Sequence, residues 1–296
     1  MKAMSTMTSF RLDRAISIGL VQPFSHMLRR QRAPRVPILM YHGMQSELGA
    51  RHPYFETNTS RERFAAHMKF LDENGYTTVN LHEALEAMMT GRNSEKRVVI
   101  TFDDGFRDFY THAFPILAEY NFKATMFIVS GLTANQTVTA EGKEYMTWSE
   151  VREIHAHGIQ IGSHTVNHPE LYKLSPNQVE YEVRQSKESI EDELGEAIQS
   201  FAYPYAFPED DKKFTSHLRE LLQTHGYENG VCTIIGTARP DDDWFFMPRL
   251  PVNSFDDLRF LEAKLEGGYD WLHKPQYLFK MTKKFWQEQG QPVESR

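Results

Sequence analysis

Asp103, Asp104, His164, His168 and His42 are the residues of this chain whose types and spacing can do chemistry. Asp103-Asp104-Gly105 directly follows the apolar run Val98-Val-Ile-Thr-Phe102. A carboxylate at the end of such a run is costly unless it has a partner. His164 and His168 stand four apart in Ser163-His-Thr-Val-Asn-His168, but with 13 histidines one such pair arises readily by chance. The spacing is therefore a weak signal alone. Added to the aspartates, it becomes a two-histidine, one-carboxylate set of the kind that holds a catalytic zinc with a position open to water. Neighbouring side chains point in different directions, so one aspartate can bind metal while the other takes a proton from water. That division suits metal-assisted hydrolysis. The adjacent pair Asp242-Asp243 reads instead as a solvated turn.

The segments that must position these residues alternate between strand and helix. Residues 35–41 read as a first buried strand ending at His42-Gly43, and 43–59 as a loop. Ser60 caps a helix with apolar spacing at Phe64, Met68 and Leu71. Strands are predicted at 77–80, 97–102, 124–129, 159–162, 201–203 and 229–234, with 245–247 and 250–252 flanking Pro248-Arg249. Helices are predicted at 81–89 (ended by Gly91), from 105 to 119, and at 212–224, with Ser254 capping another through Leu265. Thr147-Trp-Ser-Glu150 and Ser175-Pro-Asn-Gln178 are capping boxes, the second opening a long helix to Leu194. Such alternation predicts an α/β fold, a mainly parallel sheet with helices outside it, in a single catalytic domain. In a parallel barrel the strand ends form one face, which would gather His42, Asp103, Asp104, His164, His168, Tyr203 and Tyr205.

A chain of 296 residues is long enough for one large α/β domain or two modest ones. The net charge of −7 argues against bulk nucleic-acid binding. Cys232 is the one cysteine, so there is no intramolecular disulfide and no cysteine zinc site, and it reads as a small core residue. An amino-terminal extension (1–34) and a basic, aromatic tail (267–296) flank the catalytic segment 35–266. Residues 10–30 suit a basic amphipathic helix, and packing on the domain is expected over contact with a membrane surface. The tail interleaves Tyr269, Trp271, Tyr277, Phe279, Phe285 and Trp286 with Lys274, Lys280, Lys283 and Lys284. Packing back onto the domain is again expected over peripheral membrane contact. Without an uninterrupted apolar leader, the expected location is cytoplasmic, at the inner membrane face.

Thr101-Phe-Asp-Asp-Gly105 followed in order by Ser163-His-Thr-Val-Asn-His168 resembles the polysaccharide deacetylases of carbohydrate esterase family four, the NodB homology domain. The resemblance covers about residues 36–252 and implies a distorted (β/α)7-type barrel. It implies Asp103 as general base, with Asp104, His164 and His168 holding a divalent metal, zinc or a similar ion. Phe201-Ala-Tyr-Pro-Tyr-Ala206 resembles the third motif, which implies that Tyr203 lines the substrate groove and that the backbone N–H of Tyr205 helps hold the oxyanion. The arginine common in that motif is missing, and Arg249 is the candidate to stand beside Asp103 instead. No convincing carboxyl-terminal Leu-x-His motif is present. Leu39-Met-Tyr-His42 resembles the first strand of the poly-N-acetylglucosamine deacetylase branch, which implies His42 as the catalytic acid. Tyr145-Met-Thr-Trp148 resembles a groove-bordering segment, where Trp148 would stack on a sugar, packing at a helix start being the equal alternative.

The implied activity is metal-dependent removal of N-acetyl groups from an N-acetylated amino-sugar glycan, in the assembly of bacterial surface polysaccharide or exopolysaccharide. The partner is that glycan, with no nucleic acid. Competing readings keep the metal with a cyclic imide or other non-glycan amide, or keep the groove as a non-catalytic glycan-binding site. A phosphotransfer aspartate pair leaves the histidines unexplained.

Overall fold

The computed structural model describes residues 11–23, 35–45, 53–90, 96–140 and 142–278. Its strands, in chain order, are β1 (Ile38–Tyr41), β2 (Thr77–Thr78), β3 (Arg97–Phe102), β4 (Thr125–Ile128), β5 (Thr139–Ala140), β6 (Lys143–Glu144), β7 (Gln160–Ser163), β8 (Ser200–Ala202), β9 (Asn229–Ile235) and β10 (Met247–Pro251). Seven of them run parallel in the order β1-β10-β9-β8-β7-β4-β3, and the barrel closes because β3 pairs with β1, Leu39 opposite Ile100 and Tyr41 opposite Phe102. The expected (β/α)7-type barrel is therefore present. β2 adds to β3 from outside, and β5 with β6 forms an antiparallel hairpin that the sequence reading passed over.

Strands covered on both faces explain the nearly unbroken apolar runs. Successive side chains alternate between the faces. Leu39, Tyr41, Val98, Ile100, Phe102, Met126 and Ile161 join the core beneath the helices. Ile38, Val99, Phe127, Ala202, Val231 and Met247 form a separate inner cluster. Carrying the inner parity on to the strand ends sets Thr101 and Asp103 on β3, Arg249 on β10, His42 past β1 and His164 past β7 toward the barrel mouth. Gly162 lets three strands close: a Cβ there would lie 2.5 Å from the Phe127 ring and 2.9 Å from the Ser200 carbonyl oxygen.

The helices are α1 (Leu12–Ile16), α2 (Arg61–Glu73), α3 (Leu81–Met89), α4 (Phe114–Glu119), α5 (Trp148–Ala156), α6 (Pro176–Leu194), α7 (Lys212–Thr224) and α8 (Leu258–Leu265). Ser60, Thr147 and Ser175 cap α2, α5 and α6 as expected. Gly91 lies outside the described residues. The helix expected from 105 to 119 is present over residues 107–119, with a π turn at Phe109–Ala113 before α4. Pro115, at the start of α4, brings no N–H and would crowd the carbonyl four residues back, which the wider turn accommodates. Two expectations are corrected. Pro248-Arg249 does not separate two strands. β10 runs through them with a register shift against β9 between Met247 and Arg249, where a proline costs no ladder bond. Asp257, not Ser254, caps α8, accepting from the Phe260 N–H at 2.9 Å. The Ser254 hydroxyl instead accepts from the Ser60 N–H at 2.8 Å.

Residues 11–23 lie against the domain. Arg11 pairs with the buried Asp256 at 3.1 Å and Arg14 with Asp257. The Tyr269 hydroxyl donates to Asp13 at 2.9 Å, and Trp271 Nε1–H to Ser17 Oγ at 3.0 Å. The described parts of both terminal segments thus contact the domain, with Leu12, Leu20 and Leu278 left exposed. Phe10, residues 24–30 and the tail from Phe279 through Lys280, Lys283, Lys284, Phe285 and Trp286 lie outside the described residues. Cys232 is buried, as expected. No described helix is long and apolar enough to cross a membrane.

Candidate metal centre and active site

Two turns at the barrel mouth bring the aspartates and histidines together. The Asp103 N–H still donates to the Tyr41 carbonyl at 3.0 Å, so Asp103 stays in the inner register of β3. Asp104 (φ 75°) and Gly105 (φ 77°) then adopt left-handed backbone in succession and turn the chain sharply. Past β7, Thr165 (φ 70°) and His168 (φ 53°) do the same. Left-handed conformations at non-glycine residues cost energy and persist only where surrounding structure enforces them. Four of the five such residues described, Tyr205 (φ 58°) included, stand at this mouth.

One ligand atom each from Asp104, His164 and His168 lies within 4.8 Å of the others. Asp104 Oδ1 is 3.6 Å from His164 Nε2 and 3.3 Å from His168 Nε2. His164 Nδ1–H donates to the Ala202 carbonyl at 2.8 Å, which leaves the Nε2 lone pair facing Asp104. Such a second hydrogen bond is what orients a metal-ligating imidazole. Burial pushes His164 down to about 3, keeping it neutral as ligation requires. Burial also pushes the Asp104 carboxyl up, and among the described residues no lysine or arginine pairs with it. Two imidazoles around a carboxylate with no lysine or arginine bonded to it among the described residues fit a divalent cation.

Asp103 is satisfied differently. Arg249 Nη1 donates to Asp103 Oδ1 and Nη2 to Oδ2, both at 2.7 Å, with both side chains buried. The same guanidinium donates to Thr101 Oγ1 at 3.2 Å and, through Nε, to the Cys232 carbonyl at 3.0 Å. Burial opposes the Asp103 charge, but Arg249 outweighs it and holds the carboxyl well below the usual range. His42 Nε2 lies 3.9 Å from Asp103 Oδ2, its side chain 22% exposed. The structure thus gathers Asp103, Asp104, His164, His168, His42 and Arg249 in one place.

The Tyr205 ring, 52% exposed, rests 4.5 Å from that of His168. One expected substrate contact is corrected, and for Trp148 the packing alternative is the one present. Tyr203 points away from the mouth, fully buried against Phe207 at 5.0 Å, because it continues the helix-facing parity of Phe201 on β8. Trp148 is 6% exposed in the helix-side core with Val151 and Ile154, so its ring face is spent on packing. Lys143 was missed: its ammonium sits 3.9 Å over the Phe106 ring and its charge acts on Asp104. No spacing marked it, since the β5–β6 hairpin was not predicted. Thr101 and Glu182 carried a legible signal, each a polar residue at a buried position of its element.

A closed parallel barrel carrying a two-histidine, one-carboxylate cluster beside a second, arginine-held carboxylate defines a class of metal-assisted hydrolases. The polysaccharide deacetylase family profile matches residues 90–230. YxkH of Bacillus subtilis strain 168, whose name assigns it to the polysaccharide deacetylases, is 32% identical over 230 residues, covering 77% of this chain and 75% of its own. The poly-β-1,6-N-acetyl-D-glucosamine N-deacetylase of Escherichia coli K12 is 33% identical over 140 residues, 44% of this chain and 20% of that protein. The Streptococcus pyogenes deacetylase PplD, solved in complex with acetate, superposes with a TM-score of 0.66 at 25% identity, over 78% of this chain and 99% of its own. The chain belongs to the polysaccharide deacetylase family. Deacetylases of this family depend on a divalent metal.

Proposed function

We propose that this protein hydrolyses the acetamide of an N-acetylated amino-sugar glycan, releasing acetate and a free amine, with Asp104, His164 and His168 holding zinc. The observation that carries the reading is the division of labour between adjacent aspartates. Asp104 Oδ1 lies nearer to both imidazoles, while Asp103 is bound through both oxygens by Arg249, its Oδ2 3.9 Å from His42 Nε2 and 4.0 Å from His164 Nε2. The E. coli relative's named substrate and the acetate in the S. pyogenes complex support the choice of acyl group and scaffold.

When bound, the metal supplies Lewis acidity, acidifying water and polarising the acetamide carbonyl. Asp103, kept ionised by Arg249, accepts the proton of the attacking water. The Tyr205 backbone N–H is the proposed donor to the oxyanion, a contribution typically worth about 3–4 kcal/mol. His42, on the solvent-accessible side of Asp103, gives its proton to the departing amine. Water adds across the C–N bond, so one acetate and one amine leave.

The test is acetate release from a panel of N-acetylated oligosaccharides, using protein stripped of metal and then reloaded with zinc. Release that returns with zinc supports the reading. No release from any sugar by zinc-loaded protein, with turnover of a non-glycan amide, would replace the substrate and keep the metal.

A further inference from the structure

The turn that carries the two histidines is held from below by α6, and the account of its backbone groups is nearly complete. Thr165 N–H donates to Ser163 Oγ at 3.3 Å, and His168 N–H to Thr165 Oγ1 at 2.9 Å. The carbonyls of Thr165 and Val166 accept from the N–H groups of Ser130 and Gly131 at 3.1 and 2.9 Å. The two donors left over, the N–H groups of Val166 and Asn167, both go to one atom, Glu182 Oε2, at 2.8 and 2.9 Å. Glu182 Oε1 takes the Asn167 side-chain amide at 2.7 Å. One helical turn on, the Ser186 hydroxyl donates to the Thr165 carbonyl at 3.1 Å.

Glu182 is 5% exposed and lies between Val179 and Val183 on the buried face of α6. It makes no ion pair within 4 Å among the described residues, so its charge is met by these three N–H donors. A carboxylate in such a place is destabilising unless fully hydrogen-bonded. What it secures is a turn with two left-handed non-glycine residues, one of them His168 itself.

We propose that Glu182 is a positioning residue for the metal, presetting the His164–His168 turn so that both Nε2 atoms face Asp104 before an ion arrives. The inference rests on the assignment of these three residues as the metal site. It acts through hydrogen-bond geometry rather than through charge, since the carboxylate reaches the ligands only by way of the backbone of residues 166 and 167. Groups in this outer position typically govern affinity by about 10–100-fold.

The experiment measures the zinc dissociation constant of the whole, metal-stripped protein by chelator competition, with circular dichroism to establish that each variant is folded. Glu182→Gln keeps an oxygen for both backbone donors and should bind zinc nearly as wild type. Glu182→Asp keeps the charge but withdraws the acceptor by one methylene, and should weaken zinc by about 10-fold or more. Glu182→Leu removes all three bonds and should weaken it further. Glu182→Asp remains informative if the leucine variant does not fold. Wild-type zinc affinity in folded Glu182→Asp would overturn the proposal, leaving Glu182 a stability residue that lowers only the metal-free melting temperature. Greater damage from Glu182→Gln than from Glu182→Asp would also overturn it, by making charge the operative property. Wild-type protein that binds no zinc would instead remove the metal assignment beneath it.

Discussion

Arg249 and Asp103, 146 residues apart in sequence, meet inside the barrel through two hydrogen bonds of 2.7 Å. The pair joins β10 to the end of β3 across the barrel interior, and it commits both Asp103 oxygens to one guanidinium. Fork-to-fork geometry holds both Asp103 oxygens in a set plane. Asp104, one residue later and turned by its left-handed backbone, has no such partner and faces the imidazoles.

The first prediction concerns that pair. Arg249→Gln leaves a buried carboxylate without its cation, a loss of about 3–5 kcal/mol in unfolding free energy. Urea denaturation at neutral pH reads it directly. Arg249→Lys keeps the charge but cannot span both oxygens. It should be milder in stability while still lowering acetate release by about tenfold, equivalent to about 1.4 kcal/mol. An Arg249→Lys enzyme with full turnover would show that the bidentate geometry is not needed.

The second prediction separates the two aspartates. Asp103→Asn should retain stoichiometric zinc and lose about 10²–10⁴-fold in turnover, the usual contribution of a positioned base. His168→Ala should lose metal and turnover together. Metal content by mass spectrometry beside acetate release distinguishes them. Full activity in Asp103→Asn would remove it from the base role.

How much of this was legible in the sequence follows from how local each signal is. Caps at Ser60, Thr147 and Ser175 involve residues three apart, so their chemistry could be read from the letters. The strand ends carrying Asp103 and His164 were legible because parallel strands buried on both faces are short apolar runs with abrupt polar stops. Tyr203 was misplaced, and Trp148 left between stacking and packing, for a related reason: an aromatic near a strand end or helix start can face either layer. Only parity settled that Tyr203 follows Phe201 toward the helices. Glu182 acts across 15 and 16 residues, a partnership that no pattern in one sequence encodes, whereas Arg249, 146 residues from Asp103, was reached only through the arginine missing from the third family motif.

The third prediction concerns pH and stability away from the catalytic residues. His67 is fully buried on α2, with Tyr41 Oη 3.0 Å from Nδ1 and the Asp256 carbonyl 2.7 Å from Nε2. A carbonyl only accepts, so Nε2 carries a proton, and the neutral ring takes the Tyr41 hydroxyl proton at Nδ1. Burial, partly opposed by that carbonyl, pushes His67 from 6.5 down to about 4. Between those values the unfolded chain binds a proton that the folded chain does not, so stability falls as pH falls through the window. Above about 6.5 the residue contributes no slope, and below about 4 the loss levels off, at a total on the order of 3 kcal/mol. Urea denaturation at pH 7 and pH 5 should show a little over half of this loss, about 2 kcal/mol, in wild type and a smaller one in His67→Gln. Equal slopes would mean that other groups carry the acid sensitivity.

The last prediction tests His42 as the acid. Its Nε2 lies 3.9 Å from Asp103 Oδ2, on the accessible side of the mouth, and it belongs to no metal-ligand contact. An acid is needed in proportion to the basicity of the leaving group. An amine cannot depart without a proton, whereas a nitrophenolate can. His42→Asn should therefore lower acetamide hydrolysis by about 10²–10⁴-fold while leaving zinc content intact. Hydrolysis of a nitrophenyl acetate, which calls on the same metal and the same base, should fall far less. The ratio of the two rates isolates proton donation from positioning, because a displaced metal or a disturbed Asp103 would depress both substrates alike. Parallel losses on both would assign His42 to the architecture of the mouth and leave the leaving amine to draw its proton from another group.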